Sequence, residues 1–435
     1  MPYQSKFAFF IVSFCLGFLL GLGCPGLYAQ EDTLRLDLAK AEKMFLDSNY
    51  QLLAQKYNIE SQKALILQAR LYPNPNLSVA RGPVIPLHDP LSNYPTSSFT
   101  NNAETQAQLS QVILLAGKRN KQIKIAQANE QLAEYQFFDL MRTLKYTLRS
   151  DFYNIYYLQR SAKVYDMEIK ALEQIVTAFN QQQDKGYIAE KEVVRIKAQL
   201  YSFKSEYLGL MGQINAAESD LKLLLQTKAN AYIVPQVDTA HVNHLNIDKY
   251  SLLAFLDSAS HNRTDLLMAR ENTVINKLNY NYQRALAVPD LTLSLSYDHQ
   301  GSYARDFNAA GVAMDLPFFN RNQGNIKSAK FMIDNTVALE KSVNIQVTEN
   351  VNHALENALL QDKLAKSIDG RFEHDFDRLM HEVLQSYQKR NIGMLDFLDF
   401  YDAYKQNTLE LNGVLYNRIQ ALEDINYNTA TNFFN

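Results

Sequence analysis

Two hydrophobic periods divide this chain. Over most of its length apolar residues recur at alternating spacings of three and four, as in helices that pack side by side. Ile155, Leu158, Ala162, Tyr165, Ile169, Leu172, Val176 and Phe179 form one such stripe. Val193, Ile196, Leu200, Phe203, Tyr207, Leu210, Ile214, Ala217, Leu221 and Leu224 continue it on a returning segment. The stretch DLTLSLSYDH, residues 290–299, breaks this rule, because Leu291, Leu293, Leu295 and Tyr297 alternate with Thr292, Ser294, Ser296 and Asp298. Alternation at period two predicts a strand with one oily and one wet face. Strands are expected at 76–81, 103–112, 291–298 and 308–316, the first interrupted early by Arg81 and Gly82. After each strand pair the chain runs without a helix breaker, over 118–184 and over 323–389. At 1.5 Å per residue each of these helices is roughly 100 Å long.

The chain also matches itself. At an offset of 214, Leu52, Leu53, Arg70, Pro75 and Leu77 fall on Leu266, Leu267, Arg284, Pro289 and Leu291. Further along the offset drops to about 205, so that QVILLAGKRN faces LPFFNRNQGN, and one insertion of about nine residues in the first copy explains the slip. Two repeats are therefore expected, 30–228 and 250–435, joined by a polar link at 229–249. Each reads as helix (36–72 and 250–286), two strands, a long helix, and a return helix (188–228 and 393–430).

Composition narrows the class. Only 15 Gly and 11 Pro punctuate 435 residues, which suits long elements, and a net charge of −3 gives no basic excess for nucleic acid. Lys6 followed by FAFFIVSFCLGFLLGLG reads as a secretory signal over 1–29. Cleavage after Ala29 would leave Gln30 first, whereas GLGC loosely resembles a lipobox in which Cys24 would be acylated. A retained transmembrane helix is the third option. Both cysteines, Cys15 and Cys24, lie in this segment, so no disulfide is expected beyond it.

Strands with an apolar face in a chain sent out of the cytoplasm suggest a membrane barrel, in which apolar residues meet lipid and polar ones line the lumen. Four strands cannot close on themselves, and an open edge in lipid leaves backbone groups unpaired. The smallest closed barrels need about eight strands. Two copies would give a barrel filled by side chains, and three copies twelve strands around an aqueous interior. The expected fold class is thus mostly α with a membrane β-barrel, closing with twelve strands in a homotrimer and continued by long coiled-coil helices.

The repeated plan and its motifs resemble the TolC-type outer-membrane efflux family. LPFFNRNQGN with the preceding 291–301 segment resembles its CzcC-like heavy-metal efflux branch. The resemblance covers about 33–430. It implies a homotrimeric exit duct in the outer-membrane lipid, docked on a periplasmic adaptor and an inner-membrane pump of the RND type that supplies the energy. No cofactor is implied. Cargo stays open between metal cations, small toxic molecules and, as in type I secretion, polypeptide.

The resemblance also assigns residues. KGYIAEKEV and KRNIGMLDFLDF match the family's periplasmic helix tips, which places Gly186, Tyr187, Ile188, Asn391, Ile392 and Met394 at the adaptor contact. Gly186 and Asn391 suit the left-handed backbone that ends a helix. Asp396 and Asp399, nine and twelve residues beyond Tyr387, match the aspartates that ring the pore at its narrowest point, with Glu192 as the acid of the gate lock. The gate arginine would fall on Ile392, with Arg390 nearby. Read without the resemblance, these carboxylates are an acidic face at a helix end. Phe318 and Phe319 just past the fourth strand, and Tyr297, Tyr303 and Phe307 at its other end, suit interfacial belts. As ordinary packing they would mean nothing more.

No catalytic triad or zinc signature is present. His241 and His244 in the link have no third ligand beside them in sequence, and GKRN and RNQG lack a Walker pattern and read as strand-to-helix junctions. An enzyme is not expected. A periplasmic coiled-coil scaffold or tether without a pore is the alternative of a different class.

Overall fold

The computed structural model describes residues 33–83, 103–300, 304–368 and 372–434. The leader with Cys24, the insertion in the first copy, and Tyr303 lie outside the described residues. The chain opens with β1 (Thr33–Asp37), α1 (Leu38–Ser48), α2 (Tyr50–Arg70), β2 (Asn76–Pro83), β3 (Ala103–Ile113), α3 (Lys118–Asp184) and α4 (Glu190–Leu225). There follow β4 (Tyr232–Gln236), α5 (Thr239–His244), a 3-10 turn (Ile247–Lys249), α6 (Leu252–Asn262), α7 (Thr264–Leu286), β5 (Leu291–Gln300) and β6 (Arg305–Met314). The chain ends with α8 (Gln323–Ser367), α9 (Phe372–Gln388) and α10 (Met394–Thr429). Among the described residues no helix is long and apolar enough to cross a membrane.

The chain divides into two compact units that do not follow the sequence halves. One unit takes 33–49, 148–244 and 368–416, and the other takes 50–147, 245–367 and 417–434. The long helix α3 gives its residues up to Thr147 to the second unit and the remainder to the first.

In the first unit α3, α4, α9 and α10 share one apolar core. Tyr165, Leu172, Ile196, Leu200, Phe203, Met380, Val383, Tyr387, Phe397, Leu398 and Tyr401 are buried together. The seam on α3 differs from the expected stripe. Tyr165 and Leu172 are buried as expected, but Ile169 and Val176 are only partly so, and the fully packed positions between and beyond them are Glu168 and Ile175. Spacings of three and four from Tyr165 fit either register, and partner helices on more than one side of α3 select the one that takes a carboxyl inside. The polar link contributes β4, which pairs in parallel with β1 through Leu34↔Ile233 and Leu36↔Pro235. Neither strand was expected from the sequence, because five residues are too few to show a period.

The second unit holds the sheet, in the order β2-β3-β5-β6 and antiparallel throughout. Leu77 pairs with Leu109, Leu109 with Leu295, and Leu295 with Ala310, so one face carries a row of apolar side chains. The neighbouring row on the other face runs Ser110, Ser294 and Gly311. A separate core joins α6, α7, α8 and the end of α10 through Phe255, Leu266, Val347, Val351, Leu422, Ile425 and Phe434.

Some expected elements are divided. The expected helix 36–72 is α1 and α2, broken at Asn49, whose backbone is extended (φ −71°, ψ 115°). Its counterpart is α6 and α7, broken at Arg263 with nearly the same angles (φ −64°, ψ 112°). Each break is held by its own side chain against the end of a return helix. Asn49 Nδ2 donates to the Leu224 carbonyl at 3.1 Å, and Arg263 Nη1 donates to the Asn428 carbonyl at 3.2 Å. Arg263 also grips Asp265 with two bonds of 2.6 and 2.9 Å. The expected helix 323–389 is described as α8 and α9, with residues 369–371 outside the described part.

Candidate functional site

The helix tips of the first unit repeat one geometry. α3 ends with the Gly186 N–H on the Gln183 carbonyl (2.8 Å) and the Tyr187 N–H on the Gln182 carbonyl (2.9 Å), a Schellman motif with Gly186 at φ +75°. α9 ends in the same way, with the Arg390 N–H on Tyr387 (3.0 Å) and the Asn391 N–H on Ser386 (2.9 Å). The left-handed residue of this second tip is Arg390, at φ +61°, and Asn391 lies one place beyond it. Expecting Asn391 in that role followed residue preference, whereas the hydrogen-bond pattern fixes the position by counting from the last helical turn. Arg390 Nη2 then donates to Gln182 Oε1 at 2.6 Å, tying the two tips together.

The sequence-selected tip residues gather here. Tyr187, Ile188, Glu192, Tyr387, Ile392 and Met394 line a common cavity of about 440 Å³, while Gly186 and Asn391 stand outside it as exposed turn residues. Tyr187 is exposed, and Ile188, Ile392 and Met394 are half-buried. Tyr387 is buried, its ring stacked on Phe397 at 4.1 Å and tilted against Phe179 at 5.9 Å. Its hydroxyl has no hydrogen-bond partner and is pushed up to about 12 by burial, aided by the Glu192 charge.

Asp396 and Asp399 are exposed on the first turns of α10, flanking the buried Phe397 and Leu398. Asp396 leans back over Gly393, where an added Cβ would lie 3.3 Å from its Oδ2. There a carboxylate meets the positive end of the helix. Glu192, half-buried, occupies the matching first turn of α4 together with Glu190. Each carboxylate near a helix start therefore stabilises its own helix locally, whatever else it does.

On the sheet, the apolar face is left open. Leu77, Val79, Leu295 and Val312 are all more than 60% exposed, which in water would be a costly patch. Just past β6, Phe319 is 96% exposed and Phe318 is also exposed. Tyr297 on β5 donates its hydroxyl to Asp306 Oδ1 at 2.6 Å. The strand-to-helix junctions behave as their Gly and Asn suggest, with Ala116, Gly117 and Asn322 all at positive φ. The first junction is pinned by Lys118 Nζ on Asp290 Oδ1 at 2.7 Å.

The same architecture is found among solved channels. The crystal structure of the Campylobacter jejuni CmeC outer membrane channel matches with a TM-score of 0.72 at 16% identity, covering 90% of this chain and 85% of that one. CusC, solved in a study of folding and transmembrane channel formation, gives 0.69 at 14% identity over 93% and 95%. The outer membrane protein VceC of Vibrio cholerae gives 0.70 at 16% over 91% and 97%. In sequence, the cobalt-zinc-cadmium resistance protein CzcC of Cupriavidus metallidurans is 22% identical over 405 residues, 93% of this chain and 92% of its own. The chain has the TolC-type outer-membrane channel fold. No family model matches it.

The TolC-type resemblance read from the sequence, its CzcC-like branch included, agrees with these relatives, and so does the outer-membrane location. The helices and the four-stranded sheet follow the architecture of those channels, and the relatives are channel or resistance proteins rather than enzymes. One polar cluster escaped the sequence reading altogether. Glu168, Glu206, Asp402 and Lys405 meet inside the first unit, on positions that a search for apolar periodicity passes over.

Proposed function

We propose that this chain is the exit duct of a tripartite efflux system, a passive outer-membrane channel for metal cations or small toxic molecules. A periplasmic adaptor and an RND-type inner-membrane pump deliver the cargo. The carrying observation is the sheet. Among the described residues its outer strands β2 and β6 each have an unpaired edge, and its apolar face is exposed, so four strands need sister copies and lipid to satisfy both. Three copies close a twelve-stranded barrel, with the Ser294 and Ser296 row lining its aqueous interior. Phe318, Phe319 and Tyr297 then sit in the interfacial belts.

At the other functional site, Asp396 and Asp399 of three copies ring the constriction, backed by Tyr387 and Glu192. The adaptor meets the turns at Gly186, Tyr187, Ile188, Asn391, Ile392 and Met394. An internal two-fold repeat supports the duct plan. The joints at Asn49 and Arg263 are 214 residues apart, and the junctions at Gly117 and Asn322 are 205 apart, the two offsets of the sequence match.

The test is the state of the purified protein. Detergent-solubilised outer membranes should yield a particle of three chains by light scattering that forms ion-conducting pores in planar bilayers. A water-soluble monomer or dimer, extracted without detergent, would replace this reading by the periplasmic scaffold.

A further inference from the structure

We propose that Glu168, in the core of the first unit, is a proton-binding site that decides which helix Lys405 holds. Its side chain lies in a residue only 3% exposed, and neither carboxyl oxygen has a hydrogen-bond partner. Such a group inside a helical core is costly unless it is neutral. Among the described residues the ammonium acting on it is that of Lys405, which is already engaged. Lys405 Nζ on α10 bonds Glu206 Oε2 of α4 at 2.9 Å and Asp402 Oδ1 at 3.0 Å, and its third side lies 4.4 Å from the centre of the Phe203 ring. An ammonium has three donors, so little is left for Glu168.

Apart from Lys405, the described groups around the site leave the Glu168 carboxyl unpaired or add negative charge. From α3 itself, Tyr165 gives its hydroxyl to Glu206 Oε2 at 3.0 Å. From α10, Tyr401 gives its hydroxyl to the main-chain carbonyl of Glu168 at 3.3 Å and leaves the carboxyl alone. Asp402 on α10 and Glu206 on α4 add negative charge, and α9 packs Phe376 against Tyr404 beside them. Two carboxylates thus share one lysine, and the third and most buried, Glu168, is left without it. Burial foremost, with the charges of Asp402 and Glu206, pushes Glu168 up to about 9 against the pull of Lys405. Glu206 stays below its ordinary value despite burial, because Lys405 and Tyr165 hydrogen-bond it.

The ligand is a proton rather than a metal, since Lys405 already occupies Glu206 and Asp402, and among the described residues no three acidic, cysteine or histidine side chains are arranged to hold an ion. With the proton on, Lys405 ties α10 to α4. When the proton leaves, Glu168 becomes the third claimant on Lys405 and competes for it from α3. The site thereby couples proton uptake to the choice of helix partner, whether or not the chain forms a duct.

Infrared spectra of the full-length protein purified in detergent test this directly. At pH 7 the wild type should show a protonated carboxyl stretch that Glu168→Gln lacks, fading only at alkaline pH. A pH 7 difference spectrum without that band would overturn the proposal. A second variant leaves Glu168 in place. In Glu206→Gln/Asp402→Asn, Lys405 is free for Glu168, and the titration should move down by more than one pH unit. An unmoved titration would refute the sharing of Lys405.

Discussion

Glu168 and Asp151 set how the first unit responds to pH. Both have raised values in the fold, about 9 for Glu168 and about 6 for Asp151, mainly through burial, with Asp220 adding to the second. An acid whose folded value is raised favours folding while protonated and loses that contribution as pH climbs from its unfolded to its folded value. Stability should therefore fall from about pH 4 through 6 on account of Asp151 and on towards 9 on account of Glu168. Denaturant midpoints at pH 5, 7 and 9 check this, and Glu168→Gln should flatten the upper part. Asp265 and Asp362 are lowered, against the effect of burial, by Arg263 and by Lys366 with Arg418 respectively, so their contribution is lost on acidification instead. A maximum in the mildly acidic range is expected.

The two tip residues make a matched pair at the same scale. Gly186→Ala puts a Cβ into a left-handed turn and should destabilise by about 1 kcal/mol, while Arg390→Gly relieves a turn of the same kind and should stabilise by a similar amount, less the bond to Gln182. Thermal or denaturant unfolding of the two variants measures both. The glycine was visible in the sequence as a helix stop. Its partner was not, because an arginine at φ +61° carries no compositional mark.

Among the elements, the joints at Asn49 and Arg263 are the informative comparison. Arg263→Met strands Asp265 beside an empty place and should cost about 3 kcal/mol. Asn49→Ala loses neutral hydrogen bonding, that to Leu224 included, and leaves no charge unpaired, so it should cost about 1 kcal/mol. Chemical denaturation followed by circular dichroism would rank them, and equal losses would contradict the geometry. Element types were readable where a period persists, as in α3 and β5. The breaks at Asn49 and Arg263 were not, since neither residue is a Gly or Pro and the hydrophobic spacing runs on through both. The pair β1 and β4 stayed hidden for another reason, because their partners lie about 200 residues apart and only tertiary contact joins them.

For the whole molecule the property to test in the proposed duct is charge presented by copies. One chain exposes Asp396 and Asp399 on α10, and three would bring six carboxylates together. Their mutual field favours multivalent cations. Replacing both by Ala should weaken block by multivalent cations in planar bilayers at least tenfold while leaving assembly intact. Unchanged block would move the constriction elsewhere. These aspartates were singled out through family resemblance, and so was Tyr387. Sequence spacing put it with the carboxylates, and the fold packs its ring on Phe397 behind them.

The twin turns that close α3 and α9 leave Lys185, Lys389 and Arg390 exposed, Arg390 despite its bond to Gln182. Basic residues on such loops are what trypsin cuts first. Brief digestion should therefore nick the bare chain at these sites, and a partner seated over them should delay the cut. The fragment pattern on a gel then becomes a footprint of docking, readable on the purified protein with and without its partner.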